Sequence, residues 1–261
     1  MHSIENRIKI DANELHYKRI FTEASQADSV LVFLHDSWGC VETWGDFPEL
    51  ISQSFGMDAL LYDRCGYGKS SAMTGTQSTD YHYRKADELM LLLDKLKIAK
   101  VILYGHSDGG TIAIVAAATY PERISAIIVE TPHTFVETEG KNAVKKVIDK
   151  AASNSLLKKL EKYHGEKTEA MFQFWYQTWL SKDFDNWTLE PILGQIKCPV
   201  LAMRGKDDPF DTEKQLEILK FRIESPLMAM LVPMAGHTPR KENAEATFAY
   251  IHDFFIQHIN I

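Results

Sequence analysis

A serine, two adjacent aspartates and a histidine follow one another along the chain in an order that could support nucleophilic catalysis. They are Ser107, Asp207, Asp208 and His237. A serine hydroxyl is a weak nucleophile until a base accepts its proton. An imidazole can be that base, and a carboxylate on its other nitrogen fixes the tautomer and stabilises the imidazolium. If folding brings these residues together, the expected chemistry is attack on an acyl carbon.

The residues around Ser107 form a short motif with a defined structural requirement. Five of them match the pattern G-x-S-x-G: Gly105-His106-Ser107-Asp108-Gly109. An apolar run, Val101–Tyr104, precedes the motif, and a small-residue segment, Thr111–Ala118, follows it. A sharp strand-to-helix turn exposes the central side chain, tolerates only small neighbours and offers helix N-terminal amides to an anion. The alternative interpretation is a glycine-rich turn that serves packing alone.

Short, continuously apolar runs recur along the chain and are typical of strands buried on both faces. These runs are Val30–Leu34, Ala59–Tyr62, Val101–Tyr104, Ile124–Val129, Pro199–Met203 and Leu227–Val232. Helix-like segments alternate with them: Trp44–Phe55, Tyr81–Leu96, Thr111–Ala118, Glu213–Arg222 and Ala244–His258. This alternation predicts a mostly parallel sheet with helices on both faces. Two alternating stretches, Ile4–Ile10 and Leu15–Ile20, predict a preceding hairpin.

The side chains with catalytic potential each follow one of these runs. In the order of the third to the sixth run they are Ser107, Glu130, Asp207 with Asp208, and His237. Ligands bind beyond the carboxyl ends of the strands in an open parallel sheet, so we expect these residues to meet at one rim. The alternation breaks once, where Val136–Trp187 predicts two or three helices instead of a strand.

Composition restricts the class of protein. The 261 residues carry a net charge of -7, and 45% are hydrophobic and 25% charged, which is ordinary for a soluble globular protein. No apolar run approaches the ~18 residues of a membrane span, and the first residues lack the apolar segment of a secretory signal. The acidic balance argues against nucleic acid as a partner.

The cysteines and histidines carry information about compartment and cofactors. Cys40, Cys65 and Cys198 are widely spaced and odd in number, which favours free thiols in a reducing cytoplasm. The histidines form no recognised metal-binding motif. We therefore expect a cytoplasmic protein without a metal or cofactor, and with neither nucleic acid nor membrane as a partner.

Several segments resemble the α/β-hydrolase fold superfamily, and the resemblance extends over nearly the whole chain. They are Gly105–Gly110, similar to its nucleophile elbow; Asp63–Ser70, similar to its D-x-R-G-x-G-x-S loop; Gly205–Asp208, similar to the segment with the triad acid; and Gly236-His237, similar to the histidine loop. The resemblance implies an α/β fold with a mostly parallel central sheet and helices on both faces. It also implies a core of residues 1–133 and 192–261 and a helical cap of residues 134–191.

The resemblance also assigns catalytic roles. Ser107 is implied to be the nucleophile, His237 the base, and Asp208 the acid, because the matching motif places the acid at that position. Glu130 and Asp207 remain alternative acids. Asp207 and Asp208 could also do no more than cap the helix that follows.

An oxyanion hole would use the backbone N–H groups of Asp108 and Ser37. The family usually has glycine after the histidine of this second loop, whereas Asp36 follows His35 here. A carboxylate beside a developing oxyanion is unfavourable, so Asp36 either points outward or modifies the site. We expect His35 and His106 to support the loop and the elbow.

Aromatic residues are concentrated in the predicted cap and near the oxyanion loop. The candidate substrate-binding residues are Trp38, His133, Phe172, Trp175 and Trp179. An aromatic stripe at helical spacing is also explained by packing, and His133 could equally be a surface turn residue. A lid must both pack and leave a cavity, so the two explanations are compatible.

These features predict a carboxylesterase-like serine hydrolase. It would cleave an ester, thioester or lactone of a small to medium, partly apolar substrate through an acyl-enzyme. Hydrolysis of a carbon–carbon or amide bond by the same triad is the alternative within enzymes. A ligand-binding or signalling protein with little turnover is the alternative of another class, because the fold alone does not determine function. The oligomeric state, monomer or dimer, stays open.

Overall fold

One eight-stranded sheet runs through the part of the chain that the computed structural model describes, residues 1–23, 29–73, 78–153 and 155–259. Its strands are β1 His2–Ile10, β2 Asn13–Phe21, β3 Val30–Leu34, β4 Ala59–Tyr62, β5 Val101–His106, β6 Ile124–Glu130, β7 Val200–Gly205 and β8 Leu227–Val232. Their order across the sheet is β1-β2-β4-β3-β5-β6-β7-β8. The β1–β2 and β2–β4 pairs are antiparallel and the others are parallel. The predicted hairpin and mostly parallel sheet are confirmed.

Helices alternate with the parallel strands along the chain. They are α1 Phe47–Phe55, α2 Tyr81–Lys95, α3 Asp108–Thr119, α4 Thr138–Ser153, α5 Leu156–His164, α6 Thr168–Leu180, α7 Glu190–Leu193, α8 Lys214–Arg222, α9 Pro239–Glu242 and α10 Ala244–His258. The helix predicted to begin at Trp44 begins at Phe47, because Gly45 (φ 60°) ends a separate 3₁₀ turn, Val41–Trp44. Within the described ranges, no helix is long and apolar enough to cross a membrane.

The sheet separates two hydrophobic cores. Successive side chains of a strand point to opposite faces, so Val32 and Leu34 of β3 join one core, whereas Leu31 and Phe33 join the other. Helices α2 and α3 cover the first face, and α1 and α10 cover the second. The strand residues of β3 are therefore apolar on both sides, as a central parallel strand requires.

Helix α3 lies close against the sheet and begins directly after Ser107. Every residue from Asp108 to Ala118 is buried, so this helix has no solvent face. A Cβ atom on Gly109 would lie 2.0 Å from the carbonyl oxygen of Leu34, and only glycine permits that approach. Close packing against β3 fixes the direction in which the start of the helix points.

The segment between β6 and β7 contains helices α4 to α7; residue 154, within it, lies outside the described residues. Its two ends meet, since Leu189 N donates to Thr134 O at 2.7 Å and Phe135 forms a bridge with Thr188. Helix α4 lies against the loop after β7, where a Cβ on Gly140 would come within 2.7 Å of Phe210 O. The helices predicted for this segment are thus present and border the carboxyl end of the sheet.

Candidate active site

Ser107 occupies the turn between β5 and α3 with an uncommon backbone conformation. Its φ and ψ are 53° and -118°, a strained geometry for a residue other than glycine. Ser107 N donates to Glu130 O at 2.8 Å, and Thr111 N donates to Ser107 O at 3.0 Å. A Cβ on Gly105 would lie 2.3 Å from Gly109 O, so the turn requires glycine there. The strain is held by the strand on one side and the helix on the other.

The side chains of Ser107, His237 and Asp208 form one hydrogen-bonded chain. Ser107 Oγ lies 2.9 Å from His237 Nε2, and His237 Nδ1 lies 2.8 Å from Asp208 Oδ2. The second oxygen of Asp208 accepts a hydrogen bond from Phe210 N at 2.9 Å. The carboxylate side chain is fully buried, whereas the imidazole is 20% exposed. This arrangement can move a proton from a hydroxyl to an imidazole held by a carboxylate.

Nearby charges and hydrogen bonds affect the pKa values of His237 and Asp208 more than burial does. Burial lowers the pKa of His237, but Asp208, Asp211 and Asp36 together raise it more, so the net pKa is raised above 6.5. Burial raises the pKa of Asp208, but His237, with Phe210 N and His133, lowers it more, and the net pKa falls. The pair therefore favours an ionised carboxylate and a more basic imidazole.

The two alternative acids are placed elsewhere. Asp207 is exposed, and its backbone N–H donates to Ala235 O at 2.9 Å. Glu130 is buried and accepts from both Arg240 N and Arg240 Nη1 at 2.6 Å. Of the three candidates, Asp208 is the one that contacts His237.

The loop after β3 brings Ser37 to the same cavity as Ser107. Asp36 does not turn outward: its Oδ1 accepts from Trp38 N at 2.8 Å, and its Oδ2 lies 3.2 Å from His106 Nδ1. Burial raises the pKa of Asp36, but His106, together with Trp38 N–H and His35, lowers it more, so the pKa lies well below the usual range. The carboxylate is thus charged and already has partners.

His35 and His106 both support the site. Burial, with the nearby charge of Arg64, lowers the pKa of His35 to about 3, so its ring is neutral. Its Nδ1 lies 2.7 Å from Asp36 O, and its Nε2 accepts from Arg64 N at 3.2 Å. His106 Nε2 lies 2.7 Å from His237 O. His106 therefore contacts the histidine loop, a link that no motif in the sequence indicates.

A cavity of about 260 Å³ opens beside Ser107 and His237. Its lining residues are Asp36, Ser37, Trp38, His106, Ser107, His133, Gly140, Val144, Trp175, Trp179, Phe210, His237 and Thr238. Four of the five predicted substrate-binding residues are thus in the lining. Phe172 is not; its ring packs behind Trp38 at a centroid distance of 6.1 Å.

Sequence reasoning missed four cavity residues, Gly140, Val144, Phe210 and Thr238, and two of them show different reasons. The Phe210 ring lies 4.5 Å from the His237 ring, and its position two residues after Asp208 could have indicated this. Val144 belongs to α4 and looks like an ordinary residue of an amphipathic helix. Only the placement of α4 above the sheet brings Val144 to the cavity.

His133 lies at the wall of the cavity nearest the triad. Its ring stacks against His237 at 5.9 Å, and its Nδ1 lies 3.6 Å from Asp211 Oδ2. Burial and the neighbouring His237 lower the pKa of His133 to about 3. Burial and the Asp208 charge raise the pKa of Asp211 to about 7. His133 therefore offers the cavity a neutral imidazole.

Three buried arginines bind the loops around the site. Sequence reasoning gave none of them a role in positioning the catalytic residues. Arg204 donates to the carboxylate and carbonyl of Asp211 and, at 3.3 Å, to Asp208 O. Arg240 holds Glu130, and Arg64 holds the loop after β3. Arg64 stands in a motif that the sequence shows, whereas the other two carry no sequence signal.

Comparisons with known proteins agree with this architecture. A family model of the alpha/beta hydrolase fold matches residues 30–147. Serine hydrolase BPHL of Homo sapiens is 27% identical over 212 residues, 78% of this chain and 70% of that protein. A 2-hydroxy-6-oxononadienedioate/2-hydroxy-6-oxononatrienedioate hydrolase of Escherichia coli O139:H28 (strain E24377A / ETEC) is 25% identical over 217 residues, 73% of this chain and 74% of that protein.

Solved structures show the same fold. The enol-lactonase from Burkholderia xenovorans LB400 superposes with a TM-score of 0.74 at 21% identity, and the match covers 96% of this chain and 100% of that chain. At this identity the likeness concerns the fold alone. The eight-stranded architecture and the family-model match over residues 30–147 together show that the chain has the α/β-hydrolase fold.

Proposed function

We propose that the protein is a serine hydrolase that cleaves esters, thioesters or lactones of small, uncharged and partly apolar acyl groups through an acyl-enzyme. The hydrogen-bonded chain from Ser107 through His237 to Asp208, at the wall of a cavity, is the observation that carries this proposal. An enol-lactonase occurs among its structural relatives, and a hydrolase of 2-hydroxy-6-oxononadienedioate and 2-hydroxy-6-oxononatrienedioate occurs among its sequence relatives.

In the proposed reaction each of these residues has a role. Ser107 Oγ attacks the acyl carbon while His237 Nε2 accepts its proton, and Asp208 stabilises the imidazolium. The N–H groups of Ser37 and Asp108 hold the oxygen that becomes negative. His237 returns the proton to the leaving group, and a water deprotonated by the same imidazole then releases the acid.

The cavity favours an uncharged acyl group. Its volume of about 260 Å³ is slightly below the ~300 Å³ at the small end of ligand pockets. Trp38, Trp175, Trp179, Val144 and Phe210 supply large apolar side chains to its wall, and among the described lining residues there is neither lysine nor arginine. A carboxylate on the substrate would therefore enter a low-dielectric site without a counter-charge, which is costly.

This lining also separates two candidate reactions. The substrate named for the Escherichia coli relative is a dioate, which carries two carboxylates. Hydrolysis of a carbon–carbon bond by the same triad is the second candidate. The Asp36 carboxylate in the lining and the absence of a lining cation among the described residues favour the ester or lactone instead.

Two further features belong to the same proposal. Residues 134–191 would act as a cap, since Val144, Trp175 and Trp179 of its helices line the cavity. Cys40, Cys65 and Cys198 are buried and free, which supports a reducing compartment such as the cytoplasm. The occupant of the cavity would be a small molecule rather than a macromolecule.

A fluorophosphonate probe tests the proposal directly. It forms a bond to an activated serine, so we expect one label per chain on Ser107 and none in Ser107→Ala. Hydrolysis of short p-nitrophenyl esters should disappear in the same variant. Ser52→Ala, which removes another buried hydroxyl, serves as the matched control and should keep both properties. A folded wild-type protein that takes no label would instead favour the low-turnover binding protein.

A further inference from the structure

Arg64 is the second residue after β4, and its side chain is fully buried. Its Nη1 donates to His35 O, and its Nη2 donates both to Asp36 O at 3.0 Å and to Asp108 Oδ2 at 2.9 Å. One guanidinium therefore contacts the loop after β3 and the first residue of α3. These are the two segments that carry the N–H groups assigned to the oxyanion hole.

The contact with Asp36 O fixes the direction of the Ser37 N–H. The Asp36–Ser37 peptide is trans, and in a trans peptide the C=O and the following N–H point in opposite directions. Asp36 O accepts from Arg64 Nη2 and from His35 Nδ1, which lies at 2.7 Å. Two donors on the carbonyl side leave the Ser37 N–H directed away from Arg64, and Ser37 lines the cavity.

The contact with Asp108 fixes the other donor. The Asp108 carboxylate accepts from Arg64, from Tyr81 Oη at 2.6 Å and from His82 Nε2 at 3.1 Å. The Ser107–Asp108 peptide is held in the same way. Thr111 N donates to Ser107 O at 3.0 Å, so the Asp108 N–H on the opposite side of this peptide points out of the N-terminal end of the helix. Side chain and backbone of Asp108 are thus both held.

The opposite charges of Arg64 and Asp108 strengthen the contact between them. Burial raises the pKa of Asp108, but Arg64, His82 and Tyr81 together lower it more, to well below the usual range. Burial lowers the pKa of Arg64, but Asp108 and the neighbouring tyrosines together raise it more. The two remain an ion pair in a dry environment, where hydrogen bonds to a charged group are strong. A cation behind the Asp36 carbonyl also polarises that peptide and strengthens the Ser37 N–H as a donor.

We infer that Arg64 is a positioning residue that sets the distance and orientation between the two oxyanion donors, Ser37 N–H and Asp108 N–H. This inference rests on the proposed function. Arg64 does not touch the cavity; it acts through the Asp36 carbonyl and the Asp108 carboxylate. Its loss should affect the transition state more than the bound substrate, because the oxygen becomes an anion only as the reaction proceeds.

The test compares Arg64→Lys with Arg123→Lys. Arg123 is a matched control because it also binds two carbonyls, Ala99 O and Ile98 O, and one carboxylate, at the opposite end of β6. A lysine at position 64 keeps the charge but has no fork to hold Asp36 O and Asp108 together. We expect kcat to fall about 10²-fold with KM nearly unchanged, whereas Arg123→Lys keeps both.

Affinity for an alkylboronic acid, which forms a tetrahedral adduct on Ser107, gives an independent readout. It should fall in Arg64→Lys in parallel with kcat, while the affinity for the carboxylic acid product stays constant. Equal kcat and equal boronate affinity in the folded variant would overturn the inference. So would a loss confined to KM.

Two His35 variants keep the inference testable if Arg64→Lys does not fold. The side-chain amide of an asparagine at position 35 retains a donor near the position of Nδ1, whereas a leucine there removes the donor to Asp36 O. His35→Asn should therefore preserve more kcat and boronate affinity than His35→Leu. Equal values in the two variants would contradict control of Ser37 through that carbonyl. Failure of the proposed function is recognised separately, because the wild-type protein would then take no fluorophosphonate label.

Discussion

The Asp36 carboxylate lies 3.2 Å from Nδ1 of His106, and Nε2 of the same ring lies 2.7 Å from the backbone oxygen of His237. His106 thus connects the oxyanion loop with the loop that carries the base. Both of its ring nitrogens lie within hydrogen-bond distance of an acceptor oxygen. The acidic residue that replaces the family's usual glycine is therefore matched by a histidine inside the elbow.

Asp36 and His106 should act as one unit. We expect Asp36→Ala and His106→Ala each to lower kcat/KM about tenfold, and the double variant to be no worse than either single one. This corresponds to a coupling energy of about 1–2 kcal/mol, typical of residues in one hydrogen-bond network. A double-variant cycle on kcat/KM measures it, and additive losses would show that the two residues act separately.

Replacement of the triad acid should identify it among its neighbours. Asp208→Asn leaves the shape of the side chain but allows the wrong tautomer of His237, so kcat should fall about 10⁴-fold. Asp207→Asn changes an exposed carboxylate next to it and should leave kcat within about twofold. Steady-state kinetics on one ester decide between them. A larger loss at Asp207 would reverse the assignment.

Activity should fall on the acid side of neutrality. Protonated His237 cannot accept the proton of Ser107, so kcat/KM decreases as the pH drops through the pKa of His237. Burial lowers that pKa, but Asp208 and the nearby carboxylates Asp211 and Asp36 together raise it more, to above 6.5. The midpoint of the acid limb should therefore lie above pH 6.5. In Asp208→Asn, an NMR titration of the ring should give a lower value than in the wild type; no decrease would argue against the Asp208 charge as the cause.

Glu130 should matter for stability rather than catalysis. Glu130→Gln leaves the buried Arg240 guanidinium without its carboxylate, and breaking such a pair costs about 3–5 kcal/mol. Urea unfolding measures this loss. Glu42→Gln, which breaks a half-exposed pair with Lys69, should cost less than about 1 kcal/mol. The folded Glu130→Gln protein should keep its kcat, and a loss comparable to that of Asp208→Asn would point to Glu130 as the acid.

Trp175 should limit the length of the acyl group. It lines the cavity and packs edge-on against Trp38 at 4.6 Å. Trp175→Leu enlarges the pocket, so kcat/KM should rise for longer esters by up to about fourfold for each extra methylene buried, which is worth ~0.8 kcal/mol. Tyr176→Leu, on the same helix but outside the lining, is the control. A panel of acyl-chain lengths checks both, and an unchanged preference in Trp175→Leu would remove this residue from the wall.

Local sequence was sufficient for the elements and for the elbow. Continuous apolar runs predicted strands such as β3 and β5 because a central parallel strand is buried on both faces. Gly105 and Gly109 predicted the turn at Ser107 because a Cβ on either would collide with backbone. These properties depend on residues within a few positions of one another, and the chain order is enough to read them.

Contacts across the fold were decided only by the tertiary structure. Asp207 and Asp208 follow β7, and Glu130 is the last residue of β6, so all three lie at the same rim. Only the packing of the loops brings Asp208, 29 residues before His237, to its ring. The buried partners of Arg64, the orientation of Asp36 and the approach of Val144 to the cavity have the same origin. Each depends on close packing and charge pairing between segments that are distant along the chain. No local sequence pattern determines the distances between such segments in the folded protein.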